Sequence, residues 1–165
     1  MARMALRLHV PFWRLPFLFW KGRREMIKHI DMVQPFDDMK EVVQKLHSDG
    51  NKLFVVSSDS VQNIQTFMGN NNMNTNFVRI SSGGFGLFGK ARVLRKTLAQ
   101  NRLKTDETFY IGDEVRDIRA ARAAGIRAIA VSWGYSNVAE LTKHNPAALV
   151  TNPSQILNVV ETDHV

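Results

Sequence analysis

The sequence predicts an α/β fold in three layers, α/β/α, with helices packed on both faces of a parallel sheet. Two observations carry this. From residue 36 onward helical and strand signals alternate at a spacing that suits β–α–β units. The strand candidates are short continuous apolar runs, the mark of strands buried on both faces. The 165 residues are ample for one hydrophobic core. An apolar fraction of 44% with 22% charged residues excludes a mainly disordered chain. There is no cysteine, which excludes disulfide scaffolds, cysteine–zinc sites and thiol catalysis and fits a cytoplasmic location.

Taken in order, residues 36–48 read as a helix. Asp37 and Asp38 stand near its start, Met39, Val42, Val43 and Leu46 form its apolar stripe, and Asp49-Gly50 stops it. Leu53-Phe54-Val55-Val56 is a buried strand. Polar Ser57-Ser58-Asp59-Ser60 follows, then a helix carrying Val61, Ile64, Phe67 and Met68. The asparagine-rich stretch 69–76 predicts a loop and 77–80 a strand. After the glycine-rich stretch 81–89, a helix over about 90–101 turns Val93, Leu94 and Leu98 inward. Residues 108–111 predict another strand, and a helix rich in Ala and Arg runs over 115–124 to Gly125. A strand at 128–131, a short helix at 138–143, and segments 148–150 and 153–160 complete the series. In parallel sheets ligands bind beyond the carboxyl ends of the strands. Ser57, Lys90 and Asp113 all lie just past strands or in the loops that follow.

The chain is read as a basic N-terminal segment, 1–34, and a core domain, 35–165. Of the net +7, residues 1–30 hold +6, from seven basic side chains and Glu25. The remainder, 31–165, holds 15 basic and 14 acidic groups. Arg7, Arg14, Pro11 and Pro16 break the apolar residues of the N-terminal stretch, against a secretory signal. The longest clean run, 15–20, is too short for a membrane span. The stretch is basic like a transit peptide but has no serine. What remains is a basic amphipathic surface, lying on a membrane, on nucleic acid or on the rest of the protein. Met4, Leu6, Leu8 and Val10 alternate with polar and small residues as in a half-buried strand. No recognisable nucleic-acid motif is present.

The most informative chemistry is Ile111-Gly112-Asp113-Glu114-Val115-Arg116-Asp117. It sets a carboxylate directly after a buried strand, a second beside it and a third one helical turn later. Clustered carboxylates repel unless a cation sits among them, and a hard divalent ion, Mg²⁺, is the expected occupant of Asp113, Glu114 and Asp117. The alternative is a helix start with acids favourable to its dipole. The stretch from Gly83 to Lys90 satisfies two glycine patterns. Gly84, Gly86 and Gly89 spell a dinucleotide fingerprint, and Gly84 to Lys90 a phosphate loop. Ala91 stands where the phosphate loop needs a hydroxyl, and Phe85, Leu87 and Phe88 crowd the turn where phosphate should meet bare backbone. A lysine at a helix start survives, able to reach an anion over the sheet or to lie solvated on the surface. Ser57 and Ser58, past the first strand, can donate to a phosphate oxygen or cap the next helix.

In this order, Ser57, Lys90 and Gly112-Asp113-x-x-x-Asp117 resemble three of the four motifs of the haloacid dehalogenase superfamily, whose core is a Rossmann-like sheet. The resemblance is strongest to phosphoglycolate-phosphatase-like members and runs from about residue 34 to residue 160. It takes in Pro35-Phe36, Phe88-Gly89-Lys90 and Val131-Ser132-Trp133-Gly134. It implies a Mg²⁺-dependent phosphatase acting on a small phosphorylated metabolite. Ser57 would hydrogen-bond the phosphoryl group and Lys90 neutralise it. Asp113 would bind the metal, while Asp117 and Glu114 position Lys90 or metal-bound water.

In the family a nucleophilic aspartate and an acid–base aspartate sit in an Asp-x-Asp-Gly-Thr motif ending the first, central strand. No Asp-x-Asp occurs in these 165 residues, and the first aspartate is Asp31. The resemblance therefore implies that the central strand and the nucleophile are missing, and that residues 1–34 are the end of a helical cap. Strands 53–56 and 108–111 would lack their shared neighbour. Residues 4–10 are a poor substitute, since Arg7 and His9 would be buried without partners. Such a chain binds phosphate and metal without turning over. A non-catalytic binding module and a basic nucleic-acid or membrane-surface binder are the alternatives.

Overall fold

A computed structural model describes residues 30–83 and 87–162. The chain divides into two compact units, 1–34 and 35–165. Of the first, a single 3₁₀ turn at Ile30–Met32 is described. The strand pattern read at residues 4–10 lies outside the described residues.

The second unit is α/β. Its elements are α1 (Met39–Ser48), β1 (Leu53–Ser57), α2 (Val61–Asn70), β2 (Phe77–Ser82), α3 (Leu87–Asn101) and β3 (Phe109–Gly112). They continue as α4 (Val115–Ala124), β4 (Arg127–Val131), α5 (Val138–Thr142), β5 (Ala148–Val150) and α6 (Gln155–Glu161). The α1 helix starts three residues later than its acidic prelude suggests, because Asp38 takes the left-handed conformation (φ 61°). Ser60 starts α2 by accepting from the Asn63 amide at 3.1 Å, and Gly125 ends α4 at φ 78°.

All strand pairs are parallel, but the described strands form two sheets. One is β1-β2, the other β3-β4-β5. Among the described residues no strand lies between β1 and β3, the position that the resemblance implies for a central strand. Burial records the same break: β4 is buried at four of its five positions, whereas β1 and β3 are half-buried throughout. Among the described residues a side-chain hydrogen bond crosses the gap, the Tyr110 hydroxyl of β3 donating to the Val56 carbonyl of β1 at 3.0 Å. A tyrosine can do this because it reaches well beyond one inter-strand spacing of about 4.8 Å.

Helices cover both faces. Along β4, Ala128 and Ala130 face α3, α4 and α5 through Leu94, Leu98, Ala121 and Leu141. Ile129 and Val131 face α1 and α6 through Val42, Leu46 and Ile156. Under α1 and α2, Val43 and Met68 pack against Leu53, Val55 and Phe77. Ile129, Leu141 and Ile156 are fully enclosed, and each is worth roughly 1.5–3 kcal/mol of transfer free energy. No helix among the described residues is long and apolar enough to cross a membrane.

Candidate active site

The strand ends carry the chemistry. Ser57 closes β1, Gly112 closes β3, and Trp133-Gly134-Tyr135 follows β4. Between Gly112 and α4 the chain turns so tightly that a Cβ on Gly112 would lie 2.5 Å from Asp117 Oδ2. That closeness is how Asp117, the third residue of α4, folds back: its Oδ2 accepts from the Glu114 amide at 3.1 Å. Its Oδ1 meets Lys90 Nζ at 2.5 Å. Both partners are buried, Lys90 at 7% and Asp117 at 4% exposure. Lys90 lies in the first turn of α3 and also stands 5.6 Å from the centre of the Tyr110 ring. It is not the solvated surface lysine that a single exposed charge would be. A buried charge needs its partner, and here one carboxylate supplies both charge and hydrogen bond.

Asp113 is held from a different strand. Its Oδ2 accepts from the Tyr135 amide at 2.7 Å, and its main-chain carbonyl from the Ser136 amide at 3.2 Å. Gly134 is required there, because a Cβ would come within 2.1 Å of Asp113 Cβ. Glu114 turns to Arg116, Oε1 to Nη2 at 2.5 Å. Burial works against the Arg116 charge, but Glu114, then Asp117 and Asp113, outweigh it and raise the guanidinium above its ordinary value. The three acids of the sequence motif thus have three different partners: a backbone amide, an arginine and a lysine. Among the described residues no group of three acidic or histidine side chains converges as a metal cage.

Asp113 alone still fits a hard cation. Its second oxygen, Oδ1, accepts no hydrogen bond among the described residues, and Mg²⁺ is commonly held by one or two carboxylates, completed by water and phosphate.

On β1 the Ser57 hydroxyl oxygen accepts from the Asp59 amide at 3.1 Å. Its proton has no acceptor among the described residues, so it is free to donate. The helix-cap alternative for Ser57 does not hold, because Ser60 caps α2. Ser58 is half-buried. No hydrogen bond joins Ser57 or Ser58 to Lys90 or to the carboxylates among the described residues. Asp59 organises this loop: its Oδ1 accepts from the Ser60 amide at 2.7 Å and from Asn63 Nδ2 at 2.9 Å, and its carbonyl from Ser82 Oγ at 2.5 Å.

Four contributors were not singled out from the sequence: Asp59, Tyr110, Arg116 and Tyr135. Asp59 was readable in principle, as an aspartate four residues before an asparagine at a helix start. Tyr135 was not, because its contribution is a main-chain amide.

Residues 8–131 match the haloacid dehalogenase-like hydrolase family. A phosphoglycolate phosphatase of Synechococcus elongatus is 29% identical over 148 residues, 90% of this chain and 69% of that protein. A pyrophosphatase of Bacillus mycoides is 25% identical over 134 residues, 80% of this chain and 62% of that protein. A haloacid dehalogenase-like family hydrolase of Streptococcus pneumoniae has the same fold, with a TM-score of 0.73 at 24% identity over 80% of this chain and 62% of its own. The chain therefore spans about three-fifths to seven-tenths of the length of these relatives. The match covers most of the chain and includes the turn that holds Asp113 and Asp117, so this chain belongs to the haloacid dehalogenase-like hydrolases.

Proposed function

We propose that this chain carries the phosphate- and metal-handling part of a Mg²⁺-dependent phosphatase site for a small phosphorylated metabolite, phosphoglycolate-phosphatase-like and cytoplasmic. The observation that carries the reading is the Lys90–Asp117 pair beside Asp113 at the carboxyl end of β3. In this reading Lys90, fixed by Asp117, presents its remaining ammonium protons to the phosphoryl oxygens. Ser57 donates its free proton to the same group. Asp113 would hold Mg²⁺, which supplies charge neutralisation at the phosphoryl oxygens. Glu114 acts one step back, by orienting Arg116. Residues 1–34 are assigned to the end of a helical cap.

The 165 residues contain no Asp-x-Asp, so what they supply by themselves is binding and not turnover. The related phosphoglycolate phosphatase and pyrophosphatase act on small phosphate esters or anhydrides, and that substrate class is the one we assign.

Titration calorimetry with inorganic phosphate, with and without Mg²⁺, tests the reading. Phosphate is expected to bind more tightly with Mg²⁺, Lys90→Met to weaken it at least tenfold, and Asp113→Asn to abolish the Mg²⁺ effect. Hydrolysis of p-nitrophenyl phosphate by the 165-residue chain should stay at background. Turnover that disappears on Asp113→Ala would show a nucleophile within these residues, and no phosphate binding under either condition would remove the proposal.

A further inference from the structure

The nearly balanced charge of the second unit conceals a strong polarity. Residues 35–165 contain fifteen basic and thirteen acidic side chains. Five of the basic ones, Arg92, Arg95 and Lys96 on α3 with Arg119 and Arg122 on α4, are exposed. Beside them the exposed described residues of the two helices are Ala99, Gln100 and Ala123, with no carboxylate and no large apolar side chain. The rest of the unit consequently carries a net negative charge.

These five cations form one surface. On α3 the positions 92, 95 and 96 fall on one stripe, as do 119 and 122 on α4. The two helices pack together, and Arg95 spans them: its Nε and Nη2 both donate to the Ala123 carbonyl, at 3.1 and 2.6 Å. Arg122 reaches the His144 carbonyl at 2.6 Å. These bonds to neutral carbonyls steady the guanidiniums but leave their charge uncompensated. The Lys90–Asp117 pair is buried and is no part of the surface.

The chemistry of the patch selects among polyanions. A stable protein partner wants an apolar or aromatic centre, and although cations alone draw a protein to an anionic membrane, stable attachment there wants an apolar face or an acyl chain beside them. Neither is offered here. A nucleic-acid backbone needs only closely spaced cations, and its binding is driven by counterion release. We propose that the solvent face of α3 and α4 binds nucleic acid through its phosphates, without reading sequence. This role is independent of the phosphatase reading.

Fluorescence anisotropy of a labelled 20-base-pair DNA duplex with the full chain, at salt between about 50 and about 200 mM, gives the test. Arg92→Gln with Arg119→Gln is expected to weaken binding at least tenfold at the lowest salt. The slope of log affinity against log salt should fall by roughly two, one for each phosphate that the variant no longer reaches. Unchanged circular dichroism and unchanged phosphate binding would show that the fold and the Lys90 site remain. Three results would overturn the proposal: no duplex binding at the lowest salt; loss on Arg7→Gln with Arg14→Gln while the α3–α4 variant binds normally; or polyglutamate binding to the same face as tightly as the duplex, which would assign an acidic protein instead.

Discussion

Lys90 and Asp117 set a full positive charge and a full negative charge against each other in the interior, 2.5 Å apart. Removing one member strands the other, which costs about 3–5 kcal/mol. Asp117→Asn, which can still accept from the Glu114 amide, is therefore expected to lower the unfolding free energy in urea by that amount. Adding Lys90→Met should restore most of the loss, because no charge is then left unpaired. A loss in the double variant as large as in the single one would refute the pairing argument. Beside this pair, burial pushes the Tyr110 hydroxyl above its ordinary value of 10.0, the Asp117 charge adds to it, and Arg116 opposes. A raised tyrosine stabilises the fold while it stays protonated. Its contribution is complete below about pH 10 and is lost as the unfolded chain ionises above it. Urea midpoints measured from about pH 8 to about pH 11 should fall in the native sequence. Tyr110→Phe should be less stable at neutral pH, by about 1 kcal/mol for the lost hydrogen bond, yet have a flatter alkaline limb.

At the scale of elements, the division of the sheet has a measurable signature. The backbone groups of β1 and β3 that face each other have no ladder partner among the described strands, apart from the Val56 carbonyl taken by Tyr110. Those of β4 are paired on both sides. Amide hydrogen exchange is expected to be slowest in β4 and roughly 100-fold faster or more at the inward-facing amides of β1 and β3. Equal protection across all three strands would mean that a further strand closes the gap. Most elements were legible because each is locally encoded. The apolar runs of β1 and β4, the stripe of α1 and the Gly125 stop of α4 need only a few residues to be read. The α3 start was legible less well: the glycines ahead of Lys90 suggest a loop, whereas the helix already begins at Leu87. The acid cluster was legible as a cluster and not as a set of partners. Which carboxylate meets Lys90, Arg116 or the Tyr135 amide depends on strands distant in sequence, and Gly134 becomes meaningful only where β4 lies beside β3.

For the whole molecule, the sums taken from the sequence hid two distributions. The near-neutral second unit is polarised, with five of its fifteen basic side chains gathered on the α3–α4 face, and among the described residues the parallel sheet is interrupted between β1 and β3. The interruption also orders events in time. Each half is contiguous along the chain: β1, α2 and β2 occupy residues 53–82, and β3 to β5 occupy residues 109–150. Strand pairing within a half closes only short loops, so each half can nucleate early and by itself. Two helices join them: α1 packs Val43 against one half and Val42 and Leu46 against the other, and α3 lies against β1 and β2 on one side and against α4 on the other. Folding of this chain is thus expected to end in the docking of two separately formed pieces, with α1 and α3 as the clasps and their assembly as the slow phase of stopped-flow refolding.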